Sequence, residues 1–167
     1  MPYRMVFKVD GGCRGNGKPD AIGAAACCFM RRYGKRYTYQ TRLLDGYPVP
    51  PTSQRAEITA IIMALEWALE RFGELDGYPR LRVTINSDSR YAVECMTNWI
   101  YTWTQNGWTN SRGFEVANRD LIEKASDLDD RVKEFGLVDY IWVPREDNVA
   151  ADARCREVLD QEEEDRY

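Results

Sequence analysis

The chain has 167 residues, 44% of them hydrophobic and 30% charged, which is typical of one folded domain with a substantial core. It contains no histidine, which excludes Ser-His-Asp and Cys-His catalysis, histidine-ligated zinc and any imidazole general base. The formal net charge of −4 would ordinarily argue against a nucleic-acid partner, but five acidic residues lie in the segment 160–165. Without that segment the chain is close to neutral, so the net charge neither favours nor excludes a nucleic-acid partner.

The cysteines and the hydrophobic pattern indicate where the protein works. The five cysteines are odd in number and form no CxxC pair, which predicts reduced thiols in an intracellular protein of the nucleus or cytoplasm. No run is long enough to span a membrane, and the first strand begins without a signal or transit peptide. We expect no membrane partner, and a monomer, because no apolar stripe is left over. We also expect one domain over residues 1–160 and an acidic C-terminal tail over 161–167.

The first half of the chain predicts three strands and a helix. Apolar and polar residues alternate from Tyr3 to Asp10, which predicts a strand that ends at two glycines. Residues 21–30 and 37–44 predict two more strands, joined by a turn at 31–36, so we expect three consecutive antiparallel strands. After a proline-containing loop, residues 53–72 carry an apolar stripe at helical spacing and predict a helix.

The second half predicts two strands and further helices. Alternation over 81–86 predicts a fourth strand, followed by a helix that begins at about Arg90. We expect a long helix over 114–135, ended by Gly136, then a fifth strand over 138–143 and a last helix over 147–159. This order of elements predicts an α/β fold with mixed strand pairing.

Four carboxylates fall at unusual places in these elements. Asp10 and Asp88 each stand at the end of a strand, although Asp10 could simply initiate a turn and Asp88 could be a helix N-cap. Glu57 points along the buried stripe of its helix, where no capping box explains it and only helix-dipole stabilisation remains as an alternative. Asp152 lies among apolar residues on one side of the last helix.

If these four side chains converge, they form an oxygen-only cluster with a charge near −4. Such a cluster needs divalent cations, and hard oxygen ligands favour Mg²⁺ or Mn²⁺ over zinc. Two such ions about 4 Å apart would activate a water and stabilise the leaving oxygen of a phosphodiester. This chemistry needs no side-chain base, which fits a chain without histidine.

Four motifs in order resemble type 1 members of the ribonuclease H family, and are close to its cellular eukaryotic members: DGGCRGNG, TSQRAEITAIIMALEWAL, INSDSRYAVECMTNWIYTWTQNGW and VPREDNVAAD. The resemblance implies the ribonuclease H fold, a five-stranded mixed sheet with three antiparallel strands, then two parallel ones, flanked by helices. It implies cleavage within the RNA strand of RNA–DNA hybrids with two Mg²⁺ ions, for which Mn²⁺ can substitute. It also implies that the catalytic, metal-binding residues are Asp10, Glu57, Asp88 and Asp152.

The resemblance also implies substrate-binding residues, in three groups. Asn16, Ser53 and Gln54 match residues that touch the RNA minor groove and its 2′-hydroxyls, with Ser53 standing where an Asn is usual. The family's channel for the DNA strand, and its pocket for a DNA phosphate, correspond to further positions: Trp99, Trp103 and Ser111 for the channel, Thr52 and Asn118 for the pocket.

Two departures from the family pattern stand out. The arginine that usually completes the phosphate pocket is Pro50 here, so we expect either weaker phosphate binding or substitution by an arginine such as Arg31, Arg32 or Arg112. Many members also carry a glycine-rich loop with a histidine before the last helix, whereas this chain has the short connection 144–148. We therefore hypothesise that Arg145 or Glu146 takes over the role of that histidine, by shuttling protons or by perturbing one metal ion.

Alternative functions remain for the same residues. One is a non-catalytic ribonuclease H-like domain that binds hybrid or a protein partner, although intact carboxylates argue against it. Another is a retroelement-derived domain with the same chemistry, and a third is a proofreading exonuclease on the same fold. The tryptophan-rich segment and the DGGCRGNG turn favour the hybrid-cleaving type.

Overall fold

A five-stranded mixed sheet forms the centre of the computed structural model, which describes residues 1–31 and 36–166. The strands lie in the spatial order β3-β2-β1-β4-β5, with antiparallel β1–β2 and β2–β3 pairs and parallel β1–β4 and β4–β5 pairs. Their bounds are β1 Tyr3–Arg14, β2 Ile22–Met30, β3 Tyr37–Leu43, β4 Leu81–Ser87 and β5 Gly136–Trp142. This topology confirms the predicted sheet. Most of the turn predicted at 31–36 lies outside the described residues.

The helices lie on both faces of the sheet. A π-helical turn (Cys95–Trp99) joins the second helix to the third, and a 3-10 turn (Arg145–Asp147) precedes the last one. The α-helices are α1 Ser53–Glu74, α2 Arg90–Glu94, α3 Ile100–Asn106, α4 Arg119–Lys133 and α5 Val149–Arg166. Within the described ranges, none of these helices combines the length and apolar character needed to cross a bilayer.

Two predicted helix boundaries are wrong. The helix predicted over 114–135 begins only at Arg119, because Gly113 (φ 84°) and Asn118 (φ 64°) adopt left-handed backbone conformations. Gly136 does not end that helix but is the first residue of β5, where a Cβ would overlap the backbone of Leu81.

The last helix is also displaced from its predicted range, 147–159. It starts at Val149 after the 3-10 turn and continues to Arg166. The acidic segment 161–166 therefore forms the exposed final turns of α5. Arg14 on β1 pairs with Asp160 and Glu163, which ties this part of the helix to the sheet.

Successive side chains of β1 point to opposite faces of the sheet, so they contribute to two different hydrophobic layers. Met5, Phe7 and Val9 are fully buried in the large core formed with α1 and α4. The intervening residues face the other side, where α5 packs Cys155 and Leu159 against the small residues of β2. Asp10 follows the same alternation and faces α5.

Candidate active site

Neighbouring parallel strands bring Asp10 and Asp88 together. In the β1–β4 register Val9 lies beside Ser87, so Asp10 and Asp88, which follow them, lie at the same edge of the sheet. Only Asp88 stands at a strand end: β1 continues through Asp10 to Arg14, paired with β2, so the prediction that β1 ends at the two glycines is wrong. Glu57 reaches this edge from α1 because Gly11 lets the helix backbone approach closely. A Cβ at Gly11 would overlap the backbone of Ala56 and Glu57.

Asp152 completes the group from the first turn of α5. Burial, together with repulsion from Asp88 and Asp152, raises the pKa of Asp10 to about 8. Burial also raises the pKa of Glu57, opposed by a hydrogen bond from Ser89 and reinforced by Asp88. The structure thus links the four predicted carboxylates through three repulsive pairs: Asp10 with Asp88, Asp10 with Asp152, and Glu57 with Asp88.

Two arginines neutralise part of this negative charge. Arg145 Nε lies 3.7 Å from Asp88 Oδ2, and Arg156 Nε lies 3.0 Å from Asp152 Oδ2. With the side chains so placed, no three acidic or cysteine side chains in the described part of the chain are close enough to hold a metal ion together. The donor set itself fits a hard divalent cation, since it offers only carboxylate oxygens and carries repulsion that a cation would relieve.

Ser89 and Asn148 support the carboxylates, and the sequence did not predict either role. Ser89 Oγ donates a 2.6 Å hydrogen bond to Glu57 Oε2 and accepts one from the Ala92 amide, so Ser89 is the N-cap of α2. The alternative interpretation of Asp88 as that cap is therefore wrong. Asn148 is fully buried, donates from Nδ2 to the Val9 carbonyl at 2.8 Å, and has an Oδ1 with no partner among the described residues.

The predicted RNA-contacting residues cluster at the start of α1, one to two turns before Glu57. The Ser53 amide donates to Asn16 Oδ1 at 2.7 Å, which holds the glycine-rich turn after β1 against the helix. Thr52 is the N-cap of α1 and accepts from the amide of Arg55, while Gln54 is exposed. These four predicted residues, Asn16, Thr52, Ser53 and Gln54, therefore share one surface.

The predicted DNA-channel residues line a groove of about 400 Å³. The ring centroids of Trp99 and Trp103 are 5.7 Å apart, and Trp103 lies 6.2 Å from Trp108. Ser111 also lines the groove, from the loop that precedes α4. The full lining is Trp99, Thr102, Trp103, Asn106, Thr109, Asn110 and Ser111.

The residue beside Asn118 is an arginine that the sequence analysis did not select. Arg55 Nη1 lies 3.4 Å from Asn118 Oδ1, and its guanidinium pairs with both carboxylate oxygens of Asp120. Of the three predicted substitutes, Arg31 and Arg112 are exposed loop residues, and Arg32 lies outside the described residues. Nothing in the local sequence marks Arg55, because Asp120 is 65 positions away.

Arg145 and Glu146 both belong to the exposed 3-10 turn between β5 and α5. Of the two, only Arg145 lies near the carboxylates, where it interacts with Asp88. Its charge also opposes the rise that burial causes in the pKa of Glu57. Its side chain is 79% exposed.

Comparison with known proteins matches nearly the whole chain. The sequence model of the RNase H family matches residues 2–158. A ribonuclease H of Syntrophotalea carbinolica is 34% identical over 152 residues, which are 91% of this chain and 86% of that protein. The structure of LC9-RNase H1, a type 1 RNase H with the type 2 active-site motif, is 26% identical with a TM-score of 0.58, and the match covers 86% of this chain and 64% of that one. LC11-RNase H1 in complex with RNA/DNA hybrid is 20% identical, with a TM-score of 0.61 and coverage of 89% and 91%.

Proposed function

Because this chain belongs to the ribonuclease H family, we propose that it is a metal-dependent endonuclease that hydrolyses the RNA strand of RNA–DNA hybrids. The observation that carries the proposal is the meeting of Asp10, Glu57, Asp88 and Asp152 at one edge of the sheet. A polar surface lies at the start of α1, the helix that also holds Glu57. A tryptophan-lined groove lies on the helical segment that follows Asp88 along the chain and on the loop before α4. Such flanking surfaces suit a substrate with two chemically different strands.

Divalent-metal dependence is general in this family, and the four carboxylates are the residues that would hold the ions. We propose two Mg²⁺ ions, with Mn²⁺ able to substitute, which would supply an activated water and stabilise the leaving oxygen. Ser89 fixes the orientation of Glu57, and the buried amide of Asn148 ties the start of α5 to the strand residue before Asp10. These supports hold carboxylates from four separate elements in one place.

The start of α1 is proposed to contact the RNA strand. Asn16 Oδ1 accepts a hydrogen bond from the Ser53 amide, and Asn16 Nδ2 has no hydrogen-bond partner in the part of the chain that is described. That donor, the Ser53 hydroxyl and the exposed Gln54 amide can hydrogen-bond to 2′-hydroxyls and base edges in a minor groove. A DNA strand at this position lacks the 2′-hydroxyl, so these contacts favour RNA near the carboxylates.

The tryptophan groove is proposed to contact the DNA strand. The indole rings of Trp99 and Trp103 offer flat apolar surfaces on which a deoxyribose or a base can pack. Ser111 adds a hydroxyl at the edge of the groove. We propose that Thr52 and Asn118, the N-cap residues of α1 and α4, bind a phosphate of the same strand.

Arg145 is proposed to replace the histidine of the longer family loop, in preference to Glu146. It is exposed, and its Nε lies 3.7 Å from Asp88 Oδ2, so its positive charge would compete with a bound ion for that carboxylate and would assist product release. Glu146 stays available as a proton acceptor at the surface of the same turn. We also propose a monomer that acts inside the cell, where the five cysteines stay as the free thiols seen in the structure.

The test is cleavage of an end-labelled RNA–DNA hybrid in Mg²⁺, in Mn²⁺ and in EDTA, with Asp88→Asn beside the parent protein. We expect internal cuts in the RNA strand only, and their loss in EDTA and in the variant. Activity in Mn²⁺ alone would indicate that the short loop weakens one ion site. Hybrid binding without cleavage under any condition would overturn the proposal in favour of a non-catalytic or retroelement-derived binding domain.

A further inference from the structure

Arg55 contacts both residues that we propose bind a DNA phosphate: Thr52 at the start of α1 and Asn118 at the start of α4. Its backbone amide donates to Thr52 Oγ1 at 3.1 Å, and its side chain reaches Asn118 Oδ1 on the other element. Bidentate hydrogen bonds of 2.9 and 2.7 Å to Asp120 hold the guanidinium in one orientation. A fixed guanidinium loses little conformational entropy when it binds an anion.

The neighbouring polar groups are largely occupied by other partners. Asn118 accepts from Arg55 through Oδ1 and donates through Nδ2 to the hydroxyl of Tyr91 at 3.0 Å. Thr52 Oγ1 already accepts from the amide of Arg55 and can donate only its single hydroxyl proton. These two side chains leave too few free donors to balance a phosphate charge, so the site needs a cation.

Arg55 still has donors for such a ligand. Its two Nη1 hydrogens bond to Asp120 and Asn118, and one Nη2 hydrogen bonds to Asp120. The Nε hydrogen and the second Nη2 hydrogen have no partner among the described residues, and they lie along one edge of the planar group. Such an edge matches two oxygens of a phosphate. The side chain is 13% exposed, so part of it is accessible to a ligand.

The tryptophan groove offers no positive charge to a bound DNA strand, so a cation near Thr52 and Asn118 becomes more important. None of the seven residues that line the groove is charged. The whole segment 98–118 contains one basic residue, Arg112, and one acidic residue, Glu115. A nucleic-acid strand in the groove is therefore contacted through its sugars and bases, and its phosphate charge has to be met elsewhere.

We propose that Arg55 is the phosphate-binding cation for the DNA strand, and that Asp120 is the positioning residue that orients it and moderates its charge. This assignment rests on the proposed function. Arg55 thereby takes the place left open by Pro50. Removing Arg55 then weakens hybrid binding, whereas neutralising Asp120 leaves it unchanged or tighter.

The test measures hybrid affinity at several salt concentrations, in EDTA and in an Asp88→Asn background that does not cleave. Between about 50 and 200 mM NaCl, Arg55→Gln should lower the slope of log Kd against log salt by about one. We expect roughly tenfold weaker binding at the low-salt end. Arg55→Lys should restore the slope, and Asp120→Asn should keep it and bind as tightly as the background or more tightly.

The outcomes separate this proposal from a purely structural ion pair. If the pair only stabilises the packing of α1 on α4, Arg55→Gln and Asp120→Asn will lower the melting temperature and the affinity alike, with an unchanged salt slope, and the assignment is overturned. Failure of the background protein to bind any hybrid would overturn the proposed function together with this assignment. Normal binding with an unchanged slope in Arg55→Gln would overturn the assignment alone.

Discussion

The hydroxyl of Ser89 donates a 2.6 Å hydrogen bond to Oε2 of Glu57, linking the residue after Asp88 to the carboxylate on α1. The same oxygen accepts from the Ala92 amide and so begins α2. One buried side chain therefore sets both the direction of the helix that follows Asp88 and the orientation of Glu57.

Replacing Ser89 should affect stability and metal binding together. We expect Ser89→Ala to lower the free energy of unfolding by about 1 to 2 kcal/mol, because it removes a helix cap and a charge-assisted hydrogen bond. It should also weaken divalent-ion binding measured by calorimetry, since Glu57 loses its anchor. Ser89→Thr keeps the hydroxyl and is the matched control. If Ser89→Ala lowers stability but binds ions like the parent, the hydroxyl serves only as a cap.

The raised pKa of Asp10 predicts that the metal-free protein loses stability as pH rises. An unfolded Asp10 would release its proton near 3.8, whereas the folded one keeps it until about pH 8, so the folded state binds more protons between these values. The free energy of unfolding should therefore fall from about pH 5 to about pH 8. Thermal unfolding in EDTA across this range checks the direction.

The control for this pH dependence is Asp10→Asn, which imitates the protonated side chain. It should melt like the parent at about pH 5 and at a higher temperature at about pH 8, with a flatter profile between. Mg²⁺ should raise the melting temperature of the parent more at the higher pH, because metal binding displaces the proton. Parallel pH profiles in the parent and the variant would show that other groups cause the dependence.

Local signals were enough to predict the five strands and to select the four carboxylates as candidates, whereas the parallel pairing of the last two strands came from the family resemblance. The period-2 alternation in β1 and the apolar stripe of α1 are properties of consecutive residues, and Asp10 and Glu57 are defined by them. The start of α4 could not be found this way, because the left-handed conformations of Gly113 and Asn118 override the helical pattern of the residues between them. Composition alone does not reveal which loop residues adopt such a backbone.

Side-chain partners far apart in the sequence explain what else was missed. Arg55 meets Asp120 only because α1 packs against α4, so Arg31, Arg32 and Arg112 were equally plausible from the sequence. The role of Ser89 was hidden in the same way, since its partner Glu57 lies on another element.

Gly11 should tolerate no side chain. A Cβ there would overlap the backbone of Ala56 and Glu57, so Gly11→Ala must push α1 away from β1 and move Glu57 away from Asp10. We expect a loss of about 3 kcal/mol in the free energy of unfolding, measured by urea denaturation, and almost no cleavage. Gly73→Ala, near the end of the same helix with open space around it, should be neutral or slightly stabilising. Equal behaviour of the two variants would mean that α1 adjusts without disturbing the site.

Arg145 should matter for turnover and not for folding. Its Nε lies 3.7 Å from Asp88 Oδ2, and the arginine side chain is 79% exposed although that of Asp88 is only 10% exposed. Because the contact is long and the cation is solvated, we expect this pair to contribute less than about 1 kcal/mol to stability. We therefore expect Arg145→Ala to keep the parent melting temperature and to lower kcat roughly tenfold with little change in KM, because the cation that approaches Asp88 is lost. Arg145→Lys should recover part of the rate. Arg42→Ala on β3, which breaks an exposed pair with Glu66 of α1, is the matched control. Steady-state kinetics that place Arg145→Ala no lower than Arg42→Ala would remove Arg145 from the proposed mechanism and direct attention to Glu146.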